Sequence, residues 1–398
     1  MAESSRSKPL TRENVQKAHE LIKQYVHLTP VLTCTTIDSV ASTPRSPEAL
    51  KGTQWEGQTP AKPKFRFFFK CENYQKIGAF KARGAFHALT QLSDEELARG
   101  VVTHSSGNHA QALALAARTK GITAHIVMPT ISTPSKIAGT KGYGANVLFS
   151  GSTSEEREAV VVDVIKKTGA ILVPPYDHPD IILGQGTMAL ELEQQAKDLL
   201  AMSHISVNRD QKQTLDAVIA PLGGGGMLSG VATALQGTGI RVFGAEPSFE
   251  GANDGQLGLA AGKRIPSVKT LTIADGLRTP VGEIPWIVIS DKSKVKGVYS
   301  VTEEHIKAAM KLVLERMKVF VEPSAVVGLA VCMFDEDFRR IAEREGGEGG
   351  WNMGVVLSGG NTTVEAIGKL FQTSTAQAER AEGVVGKDGE KVAENVAG

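Results

Sequence analysis

Short apolar runs alternate with amphipathic stretches along most of this chain. Runs at 101–103, 124–128, 145–149, 171–173, 217–220, 240–245 and 354–357, with aromatic Phe65 to Phe69 before them, have the length of buried strands. Between them, 109–119, 155–167, 185–200 and 302–319 carry apolar residues at helical spacing. Strand–helix alternation predicts right-handed βαβ units and a mostly parallel sheet. Ligands of such sheets sit beyond the carboxyl ends of the strands. Near the start, Thr11 is placed to cap a helix whose face is Val15, Ala18, Ile22 and Tyr25, and Thr29-Pro30 stops it. Residues 41–64, rich in Pro, Thr, Lys and Gly, read as a surface insertion. Residues 203–213 read as a second, polar one, and the Ala/Glu/Lys/Gly-rich stretch 373–398 as a flexible tail.

Composition narrows the class. The chain has 398 residues, 41% hydrophobic and 22% charged, enough for a large α/β domain or two lobes. Lys+Arg 44 against Asp+Glu 43 leaves a net charge of +1, which gives no reason to expect a nucleic-acid or polybasic membrane surface. Cys34, Cys71 and Cys332 are widely spaced, so neither a disulfide framework nor a cysteine-built zinc site is expected. The opening MAESSRSKPL has no apolar export segment. The uncharged stretch 217–240 contains Pro221 and four consecutive glycines, which suits strand, loop and helix start rather than a membrane span. A soluble, cytosolic protein is the expectation.

The loops after the strands carry unusual chemistry. KCENYQKIGAFKARGAF places Lys81 at a helix opening, where the macrodipole disfavours an ammonium. That suits an amine nucleophile or base, the alternative being a solvated surface lysine. HSSGNHAQALALAA packs Ser105, Ser106, Gly107 and Asn108 onto a second helix start, where free N–H groups can hold a carboxylate. Singly these are ordinary caps, and His109 an ordinary helix-start histidine. PLGGGGMLSG lets the backbone at Gly223, Gly224, Gly225 and Gly226 approach an anion at a third helix start, and so reads as a phosphate cradle. Ser358-Gly359-Gly360-Asn361 adds a strand-end hydroxyl. Gly184-Gln185-Gly186-Thr187-Met188-Ala189 matches GxGxxA and keeps an NAD(P)-binding oxidoreductase as a competing class, although no convincing strand precedes it. Lysine, glycine cradle, carboxylate turn and strand-end serine together are what a pyridoxal phosphate enzyme needs.

GAFKARGA at 78–85, SSGNHAQA at 105–112, GQGTMALEL at 184–192, PLGGGGMLSG at 221–230, IADGL at 273–277 and LSGGN at 357–361 occur in the order of a known family. The chain resembles the fold-type II (tryptophan synthase β-like) pyridoxal phosphate enzymes, in the serine racemase and serine/threonine dehydratase branch, over roughly residues 10 to 372. The resemblance implies two parallel-sheet α/β domains with the cofactor between them. Residues 1–99 with 179–372 would form the large domain, and 100–178 a small mobile one. It implies Lys81 as the Schiff-base lysine and Ser106 as the catalytic hydroxyl on the opposite cofactor face. Asn108 would contact the cofactor's 3-hydroxyl, Gly223 to Gly226 with Met227 its phosphate, and Ser358 its pyridine nitrogen. Ser105, Ser106, Asn108 and His109 would frame the substrate carboxylate. It further implies a Mg²⁺ or Ca²⁺ site at Glu246, the Ala252 carbonyl and Asp254. Members of the family are usually dimers or tetramers, and a homodimer is the expectation here.

The implied activity is removal of the Cα proton of a small β-hydroxy amino acid by Lys81. L-serine is the first candidate, with L-threonine and 3-hydroxyaspartate beside it, and elimination gives a keto acid and ammonia. Return of the proton from Ser106 would give L/D-serine racemisation. Dehydration alone is the alternative. Ala79 stands where the family usually has Ser, and no regulatory domain follows residue 372, so feedback control by isoleucine is not expected.

Overall fold

The structure, a computed structural model, describes residues 8–105, 107–132, 134–151, 153–203 and 213–372. Ten strands form two sheets: β1 (Val31–Leu32), β2 (Phe65–Cys71), β3 (Val101–His104), β4 (Ala124–Pro129), β5 (Asn146–Ser150), β6 (Ile171–Leu172), β7 (Ala217–Pro221), β8 (Arg241–Pro247), β9 (Gly297–Val301) and β10 (Trp351–Leu357). The larger sheet runs β1-β2-β10-β7-β8-β9 and the smaller β5-β4-β3-β6. Every pairing is parallel except that of β1 with β2. Both sheets belong to one compact unit ending at Asn361. Residues from Thr362 form a separate unit, whose helix Val364–Phe371 is capped by the Thr363 side chain accepting from the Ala366 N–H. The 373–398 tail and nearly all of the 203–213 insertion lie outside the described residues.

Every apolar run marked in the sequence is a strand, and in the central strands burial on both faces requires continuous apolar side chains. β7 and the second half of β10 are buried throughout. Phe68, Val218, Val231 and Val356 share one core cluster, and Phe86, Leu113, Ile126 and Met128 another. Thr11 caps the helix Arg12–Ile22 by accepting from the Asn14 N–H, and that helix buries Val15, Ala18 and Ile22.

Two expectations change. The GxGxxA stretch lies inside a 25-residue helix, Pro179–Ser203, with no strand–turn–helix around it. A Cβ on Gly184 would sit 2.7 Å from the Arg83 carbonyl oxygen, and one on Gly186 would sit 2.6 Å from that of Gly230. These glycines let three helices cross closely, and the dinucleotide reading is withdrawn. The 41–64 insertion is a seated element: the buried Arg339 guanidinium donates to the carbonyls of Thr43 (2.9 Å) and Cys332 (3.2 Å), with Ala41 and Ala61 completing the set. Leu50, Trp55 and Ala61 are buried within it.

Candidate active site

Strand order brings the marked loops together. β10 lies between β2 and β7, with Leu357 opposite Cys71 and Val355 opposite Ile219, so three strand ends emerge side by side. The chain after β2 turns through positive φ at Ile77 (61°) and Gly78 (72°). Gly78 cannot be enlarged, because a Cβ there would lie 2.8 Å from Oδ1 of Asn361. The Phe80 N–H then donates to the Ser358 carbonyl (3.1 Å) and the Gly360 N–H to the Gly78 carbonyl (2.9 Å). Lys81 and Ser358 are thus stitched to one another by backbone.

A cavity of about 650 Å³ is lined by Lys81, Ser105, Asn108, His109, Gly223 to Gly226, Met227, Tyr176, Glu322 and Ser358. Lys81 opens the helix Lys81–Thr90, and its Nζ donates to the Pro175 carbonyl at 2.6 Å. Burial without a carboxylate partner lowers its pKa from the lysine range to about 8. Across the cavity the helix Gly226–Ala234 begins at Gly225 (φ 90°) with no side-chain cap, leaving N–H donors open to an anion. The loop admits only glycine: a Cβ on Gly224 would stand 2.3 Å from the Tyr176 ring, and one on Gly223 2.9 Å from Leu277 Cα.

Asn108 begins the helix Asn108–Lys120, and its amide is held at both ends. Its Oδ1 accepts from Asn361 Nδ2 (2.7 Å), and its Nδ2 donates to Glu322 Oε1 (3.1 Å). Glu322 Oε2 accepts from the Asn361 N–H at 3.0 Å. Burial, then the nearby Asp275, raises the Glu322 pKa to about 7. The sequence reading gave Glu322 no role, although a carboxylate ending the apolar run 319–321 just before Pro323 was a usable signal. Tyr176, from the loop after β6, was likewise missed. Ser106 lies outside the described residues. Ser105 lines the cavity, and its Oγ accepts from the Gly107 N–H at 3.3 Å.

The proposed metal ligands sit apart from this cavity. Glu246, the residue before the last of β8, is fully buried and accepts from the N–H groups of Gly255 (2.9 Å) and Gln256 (3.0 Å). Asp254 Oδ2 accepts from the Val281 N–H at 2.9 Å. Burial, then the Asp254 charge, pushes the Glu246 carboxyl well up, and burial raises Asp254 to about 6. Among the described residues no cluster of three or more His, Cys, Asp or Glu could hold a metal, so carbonyl and water ligands would have to complete a shell here.

An anion cradle at an uncapped helix start facing a buried, acid-shifted lysine fits pyridoxal phosphate in both charge and reactivity. The fold and site define a pyridoxal-phosphate enzyme of the parallel α/β type. The family described as pyridoxal-phosphate dependent enzymes matches residues 53–359, and the chain belongs to it. It is 40% identical to the serine racemase of Arabidopsis thaliana over 363 residues, covering 91% of this chain and 96% of that protein. It is 36% identical to the L-threo-3-hydroxyaspartate ammonia-lyase of Saccharomyces cerevisiae over 364 residues, covering 91% and 96%. Maize serine racemase superposes with a TM-score of 0.74 at 38% identity, covering 94% of this chain and 99% of that one. No described helix is long and apolar enough to cross a membrane.

Proposed function

We propose that this enzyme acts on L-serine, racemising it and eliminating water from it, with L-threonine and 3-hydroxyaspartate as further elimination substrates. The observation that carries the reading is the Lys81 amine, brought to a pKa of about 8 in the cavity that also holds the uncapped glycine loop. Relatives named serine racemase and L-threo-3-hydroxyaspartate ammonia-lyase support the substrate class.

In this reading Gly223 to Gly226 and Met227 hold the cofactor phosphate, Ser358 meets the pyridine nitrogen and Asn108 the 3-hydroxyl. Bound pyridoxal phosphate supplies the electron sink for negative charge at Cα. Lys81 takes the Cα proton from one face, and Ser106 exchanges a proton on the other. Ser105 and the open N–H groups of Asn108 and His109, at the start of their helix, receive the substrate carboxylate. Loss of the β-hydroxyl leads to pyruvate and ammonia, while reprotonation from the Ser106 face gives D-serine.

Residues 100–178 move as a small domain over the rest, Glu246, Ala252 and Asp254 hold Mg²⁺ or Ca²⁺, and the enzyme is a cytosolic homodimer. The test is to incubate the enzyme with L-serine while following pyruvate and D-serine together, and to map the pyridoxyl group after borohydride reduction. Label on Lys81 with both products is expected. Pyruvate without D-serine would leave dehydration alone, and label on another lysine would overturn the site.

A further inference from the structure

His109 is buried in the wall of the cavity with half of its imidazole unused. Its Nε2 lies 3.1 Å from the Val173 carbonyl oxygen. A carbonyl only accepts, so the ring hydrogen is on Nε2 and Nδ1 is a bare acceptor. Nδ1 is buried with no hydrogen-bond partner among the described residues. A buried acceptor left unpaired is costly enough that it calls for a donor. The ring also has nothing to give a carboxylate, so any part His109 plays in holding the substrate falls to its backbone N–H.

The same cavity contains a donor with the opposite deficit. The Lys81 ammonium has three hydrogens to place. Among the described residues its one hydrogen-bond partner is the Pro175 carbonyl, two residues along the chain from the carbonyl that fixes His109. Two other donors of the cavity are engaged: Lys136 pairs with Asp275 at 2.5 Å, and the Asn108 amide with Glu322. The charged or titratable groups facing the imidazole are Lys81, from the helix it opens, and His104, from the end of β3. Burial, then the Lys81 charge, drives the His109 pKa down to about 3, so the ring stays neutral and its lone pair stays available.

We propose that His109 Nδ1 is the second acceptor for the Lys81 amine, holding it through one water whenever that amine is not covalently engaged. His109 is then a positioning residue that acts through Lys81, and the proposal rests on Lys81 being the reacting amine. A hydrogen bond to the amine favours its charged form and fixes the direction of its lone pair once it is neutral. It sets both the pH at which Lys81 becomes nucleophilic and its aim at the Cα proton.

Two substitutions separate this role from a structural one, because they keep opposite halves of the ring. His109→Gln reaches the Nε2 position and can still donate to Val173, but loses the acceptor at Nδ1. His109→Asn places its carboxamide oxygen near Nδ1 and loses the Val173 bond. The first readout is the rate at which the visible band forms when pyridoxal phosphate is added to the cofactor-stripped full-length chain, followed against pH. The wild-type midpoint is expected at about 8. His109→Gln should move that midpoint down by about half a pH unit or more and lower kcat for L-serine about tenfold, with KM little changed. His109→Asn should keep the wild-type midpoint while melting at lower temperature. The reverse pattern, with Gln matching wild type and Asn shifted, would show that His109 only ties down Val173 and would overturn the proposal. Borohydride label absent from Lys81 in the wild type would instead overturn the assignment of the reacting lysine, a separate result.

Discussion

Arg83 stands two residues beyond Lys81 on the same helix, and its removal is expected to be among the most destabilising single changes in the chain. Its guanidinium is fully buried and donates to both oxygens of two carboxylates. Nε and Nη2 reach Glu72 at 2.8 Å each, and Nη1 and Nη2 reach Glu191 at 2.7 Å each. Lys70 adds a second buried cation, donating to Glu191 at 2.7 Å, to the Thr29 carbonyl at 2.8 Å and to Gln195 at 2.9 Å. The cluster balances, with two positive and two negative groups. Arg83→Met leaves two buried carboxylates facing one lysine, and breaking a buried pair in this way costs about 3–5 kcal/mol. Against a total stability of about 5–15 kcal/mol, that is a large fraction. Arg83→Lys keeps the charge but not the planar fork, and should fall between.

The pH dependence supplies a second check on the same residue. Burial alone would raise the Glu191 carboxyl, but the Arg83 charge, with hydrogen bonds from His19 and Arg83, holds it well below the usual 4.5. A depressed folded-state pKa contributes stability above the unfolded value and loses it as pH falls through the folded one. Removing Arg83 shrinks that depression. The gap between wild type and Arg83→Met in urea unfolding should therefore be widest near neutral pH and narrow below about pH 4.5. A variant within about 1 kcal/mol of wild type at pH 7, or a gap that does not change with pH, would refute the account of a charge-balanced cluster.

Other consequences are open to direct test. Gly224→Ala would put a methyl 2.3 Å from the Tyr176 ring, so the glycine loop must shift, and the affinity for pyridoxal phosphate should fall at least about tenfold in a titration of the visible band. Unchanged affinity would mean that the loop is not the phosphate cradle. If Glu246 and Asp254 hold a divalent cation, a chelator should lower the melting temperature and Mg²⁺ or Ca²⁺ should restore it. Protons compete for the same carboxylates, so the metal-dependent shift should shrink as pH falls below about 6, and melting curves that ignore the chelator would remove the metal.

What the sequence disclosed follows from which physical quantity leaves a local trace. Burial does, and so the two-faced strands β2, β7, β8 and β10 stand out as apolar runs. β9, an edge strand with only Val298 and Val301 buried, lacks such a run, and β1 is two residues long; neither was legible. The helix Pro179–Ser203 begins six residues before its apparent start at 185, because Ile181, Ile182 and Leu183 continue its buried face. Backbone demands also leave a trace. The glycine run after β7 and the glycines of the turn after β10 were readable because close approach of neighbouring protein atoms excludes side chains locally.

Pairing over distance leaves none. Lys70 ends the run FRFFFK like any strand-end charge, yet it is wholly buried, and its partner Glu191 is 121 residues away. Arg83 has no local signal beyond its place in GAFKARGA, and Glu322 has little, since it meets Asn108 across 214 residues. Most of the cavity-lining groups at helix starts and strand ends were therefore legible, while the ionic and amide frame around them was not. That division has a physical cause. A ligand-facing group must be of a particular chemical type at the end of a particular element, whereas a frame residue need only be complementary to something the fold brings near. Glu322 shows how the two meet: it holds the Asn108 amide and the Asn361 backbone at once, so the aim of a residue read from a motif depends on one that no motif announced.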